Sequence, residues 1–140
     1  MSDNFDINRE DYTQADFIIE GPWTLNPSAD FAVITAYNPV GEKGTSLEAN
    51  QQADAQLKKD LEIIGPVCRV IGCSRDQKHR EPGWAAVMTL EQAVEWGRRY
   101  RQDAIFFIVD GELHLIACAD VTKRESLGAW KNRLVSDLKK

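Results

Sequence analysis

Apolar positions along the chain fall into runs of two kinds. Phe31–Ala36 is apolar on both faces, which predicts a strand in the middle of a sheet. Beyond "VGEKG", Ala49, Ala53, Leu57, Leu61 and Ile64 recur at steps of four, four, four and three, one face of a helix. Gly65 and Pro66 stop it. Pro66–Cys73 reads as a second strand, the loop "SRDQKHREPG" leads to a third at Trp84–Met88, and Leu90, Ala93, Val94, Gly97 and Tyr100 mark a second helix. Gly97 in mid-helix costs about 1 kcal/mol against alanine, so it implies a close approach to the sheet.

Ala104–Val109 and Glu112–Cys118 form a hairpin around Asp110-Gly111, a pair suited to a turn with positive φ at both positions. That register sets Phe106 opposite Leu115 and Phe107 opposite His114. The face bearing Ala104, Phe106, Ile108, Leu113, Leu115 and Ala117 is wholly apolar and is expected to meet the helices. The other face, with Ile105, Phe107, Val109 and Ile116, needs cover from the N-terminal arm, the last helix or a second subunit. Leu127, Trp130, Leu134 and Leu138 predict a terminal helix. Thr45…Glu48, Thr89…Gln92 and Thr122…Glu125 each read as a capping box where a helix begins.

The order strand, helix, strand, strand, helix, strand matches a ferredoxin-like split β-α-β sandwich, an α/β (α+β) class, with an added C-terminal hairpin strand and the terminal helix. Residues 30–140 are expected to form one domain, preceded by an acidic, partly ordered arm at 1–29, within which Asp16–Glu20 is a candidate edge strand. In this topology the corner Tyr37-Asn38-Pro39 lies at the same end of the sheet as the loop 74–83, Gln102 and the start of the first long helix. Arg80, Arg99 and Arg101 collect there, with Tyr37 and Trp84 as aromatic planes and Asn38, Asn50 and Gln102 as amides. Such a set suits a phosphate-bearing or otherwise anionic partner. Caps and solvated charges would use the same residue types.

Composition narrows the classes. The chain has 140 residues, 43% apolar and 28% charged, which is globular composition and one domain's length. No run approaches membrane-spanning length, and the acidic, polar N-terminus is no signal peptide, so a cytoplasmic location is expected. The net charge of −5 argues against general nucleic-acid affinity. Residues 1–30 hold seven acids and one arginine, so the acidity belongs to the arm. It could compete for the basic end. Cys68, Cys73 and Cys118 read as buried small hydrophobes, and with His79 and His114 far apart no metal site or other cofactor is expected.

"TAYNP" (Thr35–Pro39), Asn50, the Leu57 and Leu61 rows, "EPGW" (Glu81–Trp84) and "GRRYRQDAIFFI" (Gly97–Ile108) resemble a bacterial and phage family, domain of unknown function 3293, over about residues 30 to 117. The resemblance implies no established activity. It selects Tyr37, Asn38, Asn50, Glu81 and Gln102, residues the topology already gathers. The reading is a non-catalytic binding or regulatory module for an anionic ligand or a protein partner. Two alternatives stay open: an enzyme acting on a nucleotide or nucleic-acid phosphate, with Glu81 or His79 as acid or base, and an interaction protein acting only through an oligomeric or partner interface on the half-covered hairpin face, for which a homo-oligomer is one form. No nucleophile–base spacing and no phosphate-cradling glycine loop is visible.

Overall fold

The computed structural model describes residues 9–39 and 45–139. It is a mixed α+β fold built on one seven-stranded sheet in which every neighbouring pair is antiparallel. In chain order the elements are α1 (Glu10–Thr13), β1 (Asp16–Glu20), β2 (Phe31–Thr35), α2 (Leu47–Glu62), β3 (Val67–Cys73), β4 (Arg80–Val87), α3 (Leu90–Arg99), β5 (Ala104–Val109), β6 (Glu112–Ala117) and β7 (Arg124–Ala129). A short 3-10 turn, Trp130–Arg133, follows. The strands lie in the order β1-β3-β4-β2-β5-β6-β7. β4 starts four residues earlier than its apolar run, because Arg80–Gly83 continue the ladder with β3.

Both faces of the central strands are apolar, so both need cover. On one face α2 contributes Leu57 and Leu61, and α3 contributes Ala93 and Val94, packed on Ala32, Ile34, Trp84, Ile105, Phe107 and Ile116. On the other, Phe17, Leu25 and Trp130 close over Phe31, Val33, Val70, Ile108 and Leu113, while Leu115 and Ala117 pack with Tyr12 and Phe106. The sequence reading had these two hairpin faces exchanged. The helices take the face of Ile105, Phe107 and Ile116, and the chain termini cover the more uniformly apolar one. Periodicity identifies two faces but not which layer each one meets.

The buried stripe of α2 is Asn50, Asp54, Leu57 and Leu61, with Ala49 exposed and Ile64 40% exposed. The helix is thus rotated toward two polar side chains. Its N-cap is Ser46, whose hydroxyl accepts from the Ala49 amide, rather than Thr45. Thr89 and Gln92 do form a capping box on α3. The hairpin register is as expected, and Asp110 and Gly111 both have positive φ.

The terminal helix is replaced by β7 and the 3-10 turn. The unpaired edge of β6 takes a partner strand, and Gly128 at φ +86° breaks any helical path. Thr122 is tied to the Asp120 carboxylate in a local turn instead of capping a helix. Leu127, Trp130 and Leu134 still reach the core, from extended and 3-10 backbone.

Gly97 sits where α3 touches the sheet. A Cβ there would lie 2.6 Å from Cys118 Sγ and 2.7 Å from Ile105 Cγ2, both packed inside. Gly97→Ala should therefore destabilise the protein by about 1–3 kcal/mol through overpacking, against the propensity gain of about 1 kcal/mol alanine brings to a helix. Urea unfolding measures the balance, and a more stable variant would remove the close-approach argument.

Candidate functional site

The apolar run of β2 ends because Thr35 turns polar contacts in both directions. Its hydroxyl donates to the Pro82 carbonyl on β4 (2.8 Å) and accepts from the Tyr37 amide (3.0 Å). Asn38 then adopts φ +49°, a left-handed conformation that asparagine tolerates better than most side chains. Three elements latch it. The Asn38 amide donates to Asn50 Oδ1 (2.9 Å), Asn50 Nδ2 donates back to Asn38 Oδ1 (3.1 Å), and Asn38 Nδ2 donates to Glu81 Oε2 (3.1 Å). Gln102 Nε2 donates to the carbonyls of Tyr37 and Tyr100, each at 3.1 Å, while its own amide caps Gly97 at the end of α3. Asn50 is only 5% exposed, so both ends of its amide need the partners they have.

Glu81 reaches the latch from β4 and lies within electrostatic range of Arg9, Asp11 and Tyr12 at α1. Burial pushes its carboxyl above the ordinary carboxylate range. The Asn38 hydrogen bond pulls the other way, Asp11 adds to the rise and Arg9 opposes it. The Tyr12 phenol is raised chiefly by burial, with Arg9 opposing and Glu81 and Asp103 adding. Arg9 pairs with Asp11 and stands 5.1 Å over the Tyr12 ring.

A second group sits where α2 crosses β3 and β4. Arg69 donates through two nitrogens to the two Asp54 oxygens, 2.8 Å each, and its guanidinium stacks 4.1 Å from the centre of the Trp84 ring. The Trp84 indole N–H donates to the Asp54 carbonyl (3.2 Å), and Lys58 Nζ lies 5.2 Å from the same ring. Tyr37, half-buried, joins this group electrostatically: burial raises its phenol, Asp54 adds to the rise and Arg69 opposes it.

The fold thus brings together Tyr37, Asn38, Asn50, Glu81 and Gln102, with Trp84 beside Tyr37's neighbours Asp54 and Arg69. The three predicted arginines sit elsewhere. Arg80 donates to Asp137 (2.7 Å) and Gln77. Arg99 pairs with Glu95 at 3.7 Å and stacks on Trp96 on the exposed side of α3. Arg101 is exposed in the turn after α3 at φ +58°. Other cations at this end serve main-chain carbonyls: Arg75 that of Gln14, and Arg98 that of Cys118. Sequence reasoning missed Asp54, Lys58, Arg69 and Tyr12. The available signal was a carboxylate and an amide on the inner stripe of α2 and an arginine inside strand β3. Among the described residues, no group of three or more His, Cys, Asp or Glu is placed to hold a metal ion. Residues 1–8 of the acidic arm lie outside the described residues.

The model of a family described as protein of unknown function (DUF3293) matches residues 34–105, and the chain belongs to that family. The match takes in the whole corner from Tyr37 to Gln102 and leaves out α1 and the C-terminal segment. No curated protein and no solved structure matches the chain.

Glu81 carries a pH prediction. Its folded-state pKa is raised, so the folded state holds more protons than the unfolded one between the ordinary carboxylate pKa and the raised value. Stability should fall as pH climbs through that window and level off above it. Glu81→Gln removes the titration. The difference in unfolding free energy between the unmodified protein and the variant should then slope with pH only there, and parallel curves would refute the burial effect.

Proposed function

We propose that this family member is a non-catalytic binding or regulatory module that takes an anionic, phosphate-bearing ligand or a protein partner at the sheet end where Tyr37 and Gln102 meet. One observation carries the reading. A backbone corner in the left-handed region is held by three polar side chains from separate segments, Asn50, Glu81 and Gln102, and it leaves Tyr37 half-exposed beside the Arg69–Trp84 stack and Lys58. Backbone held in a sparsely populated conformation by its surroundings is often retained for function. A cation pairs with a phosphate, and an aromatic plane stacks on a base that carries one. The predicted Arg80, Arg99 and Arg101 are engaged or placed elsewhere, so in this reading Lys58, with Arg69 behind it, supplies the positive charge.

Glu81 favours a second reading, an enzyme on a phosphate-containing substrate. A buried carboxyl raised above its ordinary range is the type of group that serves as a general acid or base. We also read the core as ferredoxin-like. The sub-order β3-β4-β2-β5 with α2 and α3 on one face supports this reading.

Thermal melts with inorganic phosphate, nucleotides and a phosphopeptide test the proposal. A specific ligand at a hundredfold its Kd should stabilise the fold by about 2.7 kcal/mol. The stabilisation should be lost in Lys58→Ala and Tyr37→Ala. No shift with any phosphate-bearing compound would remove the anion reading. Turnover of a nucleotide that disappears in Glu81→Gln would replace the module with the enzyme. A concentration-dependent dimer mass would instead favour an interface between copies.

A further inference from the structure

The C-terminal segment after the 3-10 turn has no regular structure, yet it is bound in a defined way. Leu134 packs on the terminus-covered face of the sheet and Val135 on the helix-covered face, so the chain wraps around the β1 edge. The Val135 amide donates to the Phe17 carbonyl (2.9 Å), and Leu134 forms a single parallel bridge to Phe17. Beyond that bridge the segment leaves the strand, and side chains hold it. Gln77, 6% exposed and at φ +61°, grips main chain on both sides of one residue. Its Nε2 donates to the Ser136 carbonyl (2.8 Å) and its Oε1 accepts from the Leu138 amide (2.9 Å). Arg80 donates to the enclosed residue's carboxylate, Asp137 Oδ1 (2.7 Å), and also to Gln77 Oε1 (3.0 Å), which orients the amide.

Such an amide contact reads an extended backbone without regard to its side chains. The arginine adds a requirement for a carboxylate. Beside it an open groove of about 550 Å³ runs between Ile18–Glu20 and the segment, so the segment leaves the β1 edge only partly filled. Alternate residues of a strand face opposite sides, so this clamp and Glu81 stand on opposite faces of β4. Gln77 and Arg80 lie within the family match, whereas the segment they hold lies outside it.

We propose that Gln77, Arg80 and the outer edge of β1 form a recognition site for an extended peptide of a partner protein. The peptide presents a carboxylate one residue after the carbonyl that Gln77 grips, and the chain's own C-terminal segment occupies the site in cis. Bound through a short tether, that segment acts at an effective concentration in the millimolar range and suppresses binding in trans. Loss of the Asp137 carboxylate weakens the cis occupant and opens the site.

The test uses a fluorescent peptide, Arg-Leu-Val-Ser-Asp-Leu-Lys-Lys, titrated by anisotropy into the full chain and into full-chain Asp137→Ala. The variant should bind at least roughly tenfold more tightly. Adding Gln77→Ala or Arg80→Met, or replacing the peptide's Asp with Asn, should remove that gain. Equal binding by the unmodified chain and Asp137→Ala, with circular dichroism showing both folded, overturns the proposal. Should Asp137→Ala unfold, Ser136→Pro in the full chain serves as the second way to loosen the segment, with the same expectations. A dimer by sedimentation whose formation the free peptide blocks would assign the site to a second copy of this chain and overturn the partner-peptide reading.

Discussion

The structure depends on covering a sheet that is apolar on both faces. Among the described residues two helices are of useful length, and both lie on one side, over Ala32, Ile34, Ile105, Phe107 and Ile116. The opposite face carries Phe31, Val33, Val70, Ile108 and Leu113, with no further long helix among the described residues to bury them. Fully burying one such side chain is worth about 1.5–3 kcal/mol, so leaving that face in water would consume most of a domain's net stability. The termini are recruited instead. Trp130 is the centre of the arrangement, with its ring 4.9 Å from Phe17 and 5.5 Å from Phe31, and Phe17 meets Phe106 edge-on at 5.0 Å. One aromatic cluster thus joins the first strand, a central strand, the hairpin and the C-terminal turn.

Everything polar in the fold is arranged around that demand. With both faces occupied, chemistry is pushed to the ends and edges of the sheet. At the end where β2 stops, Asn50 and Asp54 interrupt the inner stripe of α2, and each is satisfied: Asn50 by Asn38, Asp54 by Arg69. Among the described residues no buried side-chain nitrogen or oxygen lacks a hydrogen bond. Removing either partner of the Arg69–Asp54 pair would strand a largely buried charge, a disruption worth about 3–5 kcal/mol in such pairs. The same rule fixes the corner, because Asn50 exchanges two hydrogen bonds with Asn38 and Gln102 bridges the carbonyls of Tyr37 and Tyr100. At the β1 edge, covering the sheet draws the C-terminal segment around a strand and into the grip of Gln77 and Arg80.

Much of this was legible along the chain. Two-sided apolarity placed Phe31–Ala36 in the middle of the sheet. Asp110-Gly111 set the hairpin register, Thr89 and Gln92 marked the start of α3, and Gly97 announced a close approach. Strand and helix order was enough to bring Tyr37, Asn38, Asn50, Glu81 and Gln102 to one end, because a crossover fixes which loops share a pole. These are matters of local period, turn conformation and chain direction, and short stretches of sequence carry them.

Other features arise only when distant segments compete for the same surface. Leu127, Trp130 and Leu134 have helical spacing, yet an open strand edge at β6 and Gly128 at positive φ turn them into β7 and a 3-10 turn. The alternation of the hairpin defines two faces but not which one the helices take, since both are apolar. Whether an arginine reaches a corner, a carbonyl or a tail depends on acceptors supplied from far along the chain: Arg69 finds Asp54 fifteen residues away and Arg80 finds Asp137 fifty-seven residues away. Sequence by itself determined the elements from β2 to β6 and their order along the chain. Tertiary structure decided which faces are buried and which charges meet, because burial and pairing are properties of a shared space and not of any one segment.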